Sequence, residues 1–124
     1  MKTAQDYLED ANAVVPKLSV EDGIAKHAGG RALFIDVRDG KDIDGSGTIQ
    51  GALRIPRGMM EFRATDGHPM HNPALTKDAD IVLVCGAGGQ AALAGKTLKD
   101  MGYQNVENVG GFAAWKDAGG PTEA

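Results

Sequence analysis

The chain has 124 residues, of which 42% are hydrophobic and 24% charged, with one cysteine and a formal net charge of -4. That length makes one domain able to bury a core without metal or disulfide support, and a lone cysteine excludes any internal disulfide. The acidic balance, with a pI near 5.2 and a mean hydropathy of -0.25, argues for an ordinary soluble protein and against nucleic acid or an anionic membrane as an obligatory partner.

Residues 4–15 have helical character that stops before Pro16, and Ser19 is a good N-cap for a second helix ending at Gly29-Gly30. Asp22, three residues after Ser19, makes a weaker capping box. The run Ala32-Leu33-Phe34-Ile35-Asp36-Val37 is almost continuously apolar, as in a strand buried on both faces of a parallel sheet. A polar, glycine-rich loop from Arg38 to Gly51 follows. Residues 52–55 form a short strand closed by Pro56, and Met59 to Arg63 one or two helical turns. Residues 65–73, with His68, Pro69, His71 and Pro73, form an irregular loop. Ile81-Val82-Leu83-Val84-Cys85 is a buried strand, and the helical spacing resumes at Ala91 with Leu93, Thr97, Leu98 and Met101. Gly102 ends that helix, residues 105–109 form a last strand, and residues 112–118 a last helix before a frayed tail from Gly119. The alternation predicts an α/β fold with a mainly parallel sheet, whose sites form at the carboxyl ends of its strands. No stretch is long enough to span a bilayer. The polar segment from Met1 to Asp10 lacks the apolar centre of a signal peptide, so a cytoplasmic location is expected.

The segment Cys85-Gly86-Ala87-Gly88-Gly89-Gln90-Ala91 is the most informative part of the chain. A cysteine closing a core strand can be no more than a small hydrophobe. The turn after it favours chemistry. Its glycines admit left-handed conformations that aim successive peptide N–H groups inward, and the helix behind presents its positive end; both favour a thiolate. Two other readings fit less well. Residues 86–91 match G-x-G-x-x-A between strand and helix, with Glu107 about 20 residues on, but a dinucleotide fingerprint belongs to the first strand of a larger unit and Glu107 falls inside its strand. A phosphatase cysteine needs an arginine to grip phosphoryl oxygens, and Gln90 and Ala91 carry no charge.

Three further segments resemble a known family, the single-domain rhodanese-like sulfurtransferases, over residues 18–121. They are Leu33-Phe34-Ile35-Asp36-Val37-Arg38-Asp39, the stretch from Gly47-Thr48-Ile49-Gln50-Gly51-Ala52 to Ile55-Pro56, and Gly110-Gly111-Phe112-Ala113-Ala114-Trp115, with Cys85 between the second and third. The resemblance implies a rhodanese-like three-layer sandwich with a central, mainly parallel sheet. An N-terminal helical segment (1–17) precedes the domain (18–121) and a short tail (122–124) follows. It further implies that Cys85 is the nucleophile. That residue would take sulfane sulfur from thiosulfate or a persulfide and pass it to a thiophilic acceptor, cyanide in vitro and a thiol or protein in the cell, with no cofactor. Gly86, Ala87, Gly88, Gly89, Gln90 and Ala91 would bind the substrate.

Gln90 stands where the family's C-x-x-G-x-R loop has arginine, and Thr48 where the family often has histidine. The first change should weaken the grip on a dianion such as thiosulfate, and it leaves open a non-catalytic binding module. Arg57, just past a strand end, is the candidate for the missing cation; Arg54 is read as a surface residue. Asp36 and Arg38 are read as an ion pair pinning neighbouring loops. His68 and His71 lack a third ligand, so no metal site is expected. Phe112 and Trp115 are core residues, and Lys96 is solvated.

Overall fold

In the computed structural model, which describes residues 1–124, helices α1 (Ala4–Val14) and α2 (Val20–Gly29) precede strand β1 (Leu33–Asp36). Helix α3 (Gly40–Ser46) and the two-residue strands β2 (Thr48–Ile49) and β3 (Leu53–Arg54) come next. A 3-10 turn (Arg57–Met59) runs into α4 (Met60–Arg63), and an irregular connection leads to β4 (Asp80–Cys85). Helix α5 (Gly89–Asp100), β5 (Asn105–Gly111), α6 (Phe112–Asp117) and β6 (Thr122–Glu123) complete the chain. The main sheet has the order β3-β1-β4-β5, parallel throughout.

Strand alternation sends successive side chains to opposite faces of this sheet. Ile81, Leu83 and Cys85 join one buried cluster with Ile35, Ile55, Met60, Ala91, Ala94 and Leu98, under α4 and α5. Val82 and Val84 join the other, with Phe34, Val109, Phe112 and Trp115, under α2 and α6. Both faces are therefore dry, which explains the unbroken apolar run of β4. The same parity points Cys85 at α5.

Two sequence expectations are corrected. The chain end is not frayed: Thr122 and Glu123 pair antiparallel with Ile49 and Thr48, while the Pro121 carbonyl accepts hydrogen bonds from Gln50 N–H and the Trp115 indole. The loop from Arg38 to Gly51 is not all coil, since α3 and β2 lie within it. Gly40 and Gly45 hide the helix from any propensity argument, and tertiary contacts hold it: Ile43 is buried and Ser46 is gripped by Arg38. Smaller shifts affect α5, which starts two residues earlier than Ala91, and β5, which runs on through Gly110-Gly111.

Helix α1 packs along α5 and is closed by a reciprocal cap. Thr3 Oγ1 accepts the Asp6 N–H (3.2 Å), and the Asp6 carboxylate accepts the Thr3 N–H (2.9 Å). The Thr3 backbone bond, then its hydroxyl, holds the Asp6 carboxyl below its ordinary value of 3.8. A depressed folded-state value contributes stability above pH 3.8 that is lost as pH falls through it. Amide exchange in α1 should therefore accelerate on acidification below that point before the sheet amides respond. Asp6→Asn should remove the pH dependence, and an α1 that stays as protected as the sheet would contradict the account.

Candidate functional site

Cys85 is the last residue of β4, and three residues separate it from the first turn of α5. Those residues bend back because Gly88 takes φ +95°, a left-handed conformation that a side chain would resist. The result is a half-ring of peptide groups around sulfur. Gly88 N–H donates to Cys85 Sγ at 3.0 Å and Ala91 N–H at 3.3 Å, distances suited to a sulfur acceptor. The α5 dipole adds its positive end. In chemical terms this is a pocket of fixed N–H donors around a nucleophilic atom, able to stabilise negative charge on sulfur without any cationic side chain.

Cys85 is only 1% exposed, whereas Gly86, Ala87 and Gln90 face solvent, Gly88 and Gly89 are half-buried and Ala91 is buried. The Gln90 amide makes no hydrogen bond within the protein. Two cavities flank the loop. One, of about 630 Å³, runs beside α5 and is lined by Tyr7, Leu8, Arg57, Gly89, Leu93 and Thr97 among others. The other, of about 360 Å³, lies against Ala87, Gly88, Gly89 and Asn108. Leu8 of α1 lines both, its Cδ2 3.5 Å from where a Cβ on Gly89 would be. Cys85 lines neither.

Asp36 and Arg38 form the ion pair expected of them, fully buried and bidentate: Arg38 Nη2 reaches Asp36 Oδ2 at 2.8 Å, and Nε reaches Oδ1 at 3.1 Å. Arg38 also donates to Ser46 Oγ and the Gly47 carbonyl, and its guanidinium lies 4.8 Å from the Phe112 ring centre. Thr48 Oγ1 donates to Asp36 Oδ2 at 2.7 Å, so Thr48 has a structural hydrogen bond in this network. Three segments, the end of β1, the α3–β2 junction and the start of α6, are thereby tied together.

Arg57 is engaged by neighbouring side chains. Its guanidinium is held by Glu61 (3.1 Å) and by Thr97 Oγ1 (3.0 Å). Thr97 is eight residues beyond Gly89, about 12 Å along the helix axis. Arg57 nonetheless lines the same cavity as Gly89 of the cysteine loop. Arg54 lies at the surface against Asp44 and the Ala124 carbonyl, and Lys96 pairs with Asp100. His68 accepts the Met70 N–H and His71 faces the Leu75 carbonyl and Asp66. No group of three or more His, Cys, Asp or Glu residues is placed to hold a metal ion. No helix is long and apolar enough to cross a membrane.

Two residues at the loop went unassigned in the sequence reading. Gly111 packs so tightly that an ideal Cβ there would lie 2.4 Å from the Gly86 carbonyl oxygen. Asn108, 5% exposed, donates from Nδ2 to the Gly88 carbonyl (2.9 Å) and accepts the Gly110 N–H at Oδ1 (2.8 Å). The available signal was parity: Asn108 stands two residues after Val106, on the buried phase of β5, where an asparagine is disfavoured without a partner.

The model of the rhodanese-like domain family matches residues 19–118, and the chain belongs to that family. Among proteins it resembles is HIGH ARSENIC CONTENT 1 of Arabidopsis thaliana, 32% identical over 94 residues, or 69% of this chain and 53% of that one. Thiosulfate sulfurtransferase PspE of Escherichia coli is 35% identical over 64 residues, 52% of this chain and 56% of that one. The chain thus spans about half the length of these curated relatives. Of solved structures, RPA3614 of Rhodopseudomonas palustris, described as a possible tyrosine phosphatase, superposes with a TM-score of 0.93 at 37% identity, covering 99% of this chain and 96% of that one. The human single-domain sulfurtransferase TSTD1 gives 0.70 at 26% identity, over 83% and 96%. The fold is the rhodanese fold.

Proposed function

We propose that this protein is a sulfurtransferase in which Cys85 carries sulfur as a persulfide. The observation that carries the reading is the convergence of the Gly88 and Ala91 N–H groups on Cys85 Sγ. The Cys85 thiolate attacks the outer sulfur of thiosulfate, the S–S bond breaks, and sulfite leaves with the bonding pair. The anionic persulfide then sits among the peptide hydrogens of residues 86–91. Attack on its outer sulfur by an acceptor, cyanide in the simplest assay, forms thiocyanate and returns the thiolate. A cytoplasmic, reducing setting keeps the thiol free.

Incubation with thiosulfate or a low-molecular-weight persulfide should add the mass of one sulfur atom to the wild type and none to Cys85→Ser. A wild type that gains no sulfur from either donor would refute the reading.

The donor grip is made by backbone, not by charge, since Gln90 is uncharged and Arg57 is engaged by Glu61 and Thr97. A persulfide therefore suits the site better than a dianion. Gln90 is exposed and unpartnered, so Gln90→Arg breaks nothing and should lower KM for thiosulfate roughly 3- to 10-fold, the worth of one exposed charge-assisted bond. An unchanged KM would mean that the absent charge is not what limits thiosulfate use. The same lack of a cation weighs against phosphatase chemistry.

A second reading, a binding module that uses the fold without turnover, draws on the 1% exposure of Cys85 and on its absence from both flanking cavities. Thiocyanate release above the Cys85→Ser background excludes it.

A further inference from the structure

Glycine permits the left-handed turn at residue 88 but cannot enforce it, because without a Cβ the residue has many other conformations open to it. Something outside the loop must hold it. The Gly88 carbonyl accepts two hydrogen bonds, one from the Ala92 N–H (3.0 Å), which begins α5, and one from Asn108 Nδ2 (2.9 Å). Asn108 is itself fixed at every polar atom. Its backbone N–H donates to the Pro16 carbonyl (2.9 Å), its backbone carbonyl accepts the Leu18 N–H (2.9 Å), and its Oδ1 accepts the Gly110 N–H (2.8 Å). Gly110 has φ +93°, and the β4–β5 register slips between Leu83 and Val84, just before Cys85. The side chain therefore braces two left-handed glycines, both just past a sheet irregularity, against a strand anchored to the segment between α1 and α2.

We infer that Asn108 is a positioning residue for the sulfur site, a role that presupposes the sulfur-transfer reading of Cys85. By holding the Gly88 carbonyl from behind, it fixes the left-handed turn at Gly88 and so keeps the Gly88 N–H aimed at Cys85 Sγ, without itself bonding to sulfur. Asparagine suits the task because one planar group supplies both the donor for Gly88 and the acceptor for Gly110. Asn108→Asp keeps the shape and the Gly110 bond but turns an acceptor on the Gly88 carbonyl. Asn108→Ser is too short to reach the Gly88 carbonyl and covers the case in which the carboxylate prevents folding.

The test measures three quantities on the intact chain: the single-turnover rate of sulfur loading from thiosulfate or a persulfide, the Gly88 amide resonance, and the thermal midpoint. In a folded variant, loading should slow by about 10- to 100-fold, as expected for a small displacement of a catalytic donor, and the Gly88 amide proton should shift. The KM for cyanide in the second half-reaction should stay as in the wild type. A variant that is less stable yet loads sulfur at the wild-type rate, with the Gly88 resonance unmoved, would make Asn108 merely structural and overturn the inference. Should the wild type take up no sulfur at all, the functional reading fails by itself, and the Gly88 resonance still decides whether Asn108 sets the loop.

Discussion

Asp36→Ala should destabilise the protein by about 3–5 kcal/mol, the usual result of removing one partner from a buried ion pair. Asp36 is fully buried and accepts from Arg38 Nε, Arg38 Nη2, the Arg38 N–H and Thr48 Oγ1. Without it, a guanidinium only 8% exposed keeps bonds to Ser46 and Gly47 but has no counter-charge. For a chain of this length the loss amounts to roughly 10–20 °C in thermal midpoint. Asp36→Asn retains acceptor and shape and should cost less, about 1–3 kcal/mol. The double variant Asp36→Ala/Arg38→Met should recover part of the loss, because the penalty lies mostly in the orphaned cation and not in the missing attraction. A thermal midpoint for Asp36→Ala within a few degrees of wild type would show that the pair does not hold these loops.

How much of this was legible in the sequence depends on how local the cause was. The β4 strand, the turn at Gly86–Gly88 and the helix behind it follow from an apolar run, a glycine cluster and 3.6-residue spacing, all within 20 residues. Strand parity sets Cys85 on one face with Ile81 and Leu83, and the structure shows that α5 covers that face. The Asp36–Arg38 pair is two residues apart and was readable as well. What escaped was non-local. Helix α3 contains two glycines and is held by Ile43 and by Arg38 reaching across eight residues to Ser46. Strand β6 exists because Thr48 and Ile49, more than 70 residues earlier, offer an open edge. The place of Arg57 after β3 is local, but its bond to Thr97, 40 residues away, is not readable from the sequence. Asn108 acts on Gly88 across 20 residues, and only the parallel register with its slip brings them together.

These non-local contacts share an organisation. The groups that face Cys85 Sγ are main-chain N–H groups, and the side chains beside them stand one step back: Asn108 behind Gly88 and Leu8 over Gly89. A site made of backbone keeps its N–H cradle whatever side chain stands at Gln90 or Ala87, and it is sensitive to anything that moves the loop as a whole. Substitutions that change charge at its rim should therefore tune donor choice, whereas those that change volume beneath it should stop the reaction.

Gly111→Ala tests that distinction most severely. Residue 111 has φ -89° and ψ 145°, a conformation open to any amino acid, so the substitution carries no backbone strain. Its cost is steric. An ideal Cβ would stand 2.4 Å from the Gly86 carbonyl oxygen, 3.2 Å from its carbon and 3.5 Å from Ala87 Cα, all backbone atoms that no rotamer change can clear. The Gly86 peptide has to move, and with it the turn that carries the Gly88 N–H to sulfur. Overpacking of this kind costs about 1–3 kcal/mol, which a folded 124-residue domain survives. The displacement should slow sulfur loading by roughly 100-fold. Gly51→Ala is the control, since it forces a side chain onto φ +78° with open space around it, at a penalty of about 1–2 kcal/mol and far from the loop. Both variants should lose thermal stability, but only Gly111→Ala should lose the transfer reaction. A folded Gly111→Ala that loads sulfur at the wild-type rate would mean that the Gly86–Gly88 turn tolerates displacement, and that the peptide groups facing Cys85 do not control its chemistry.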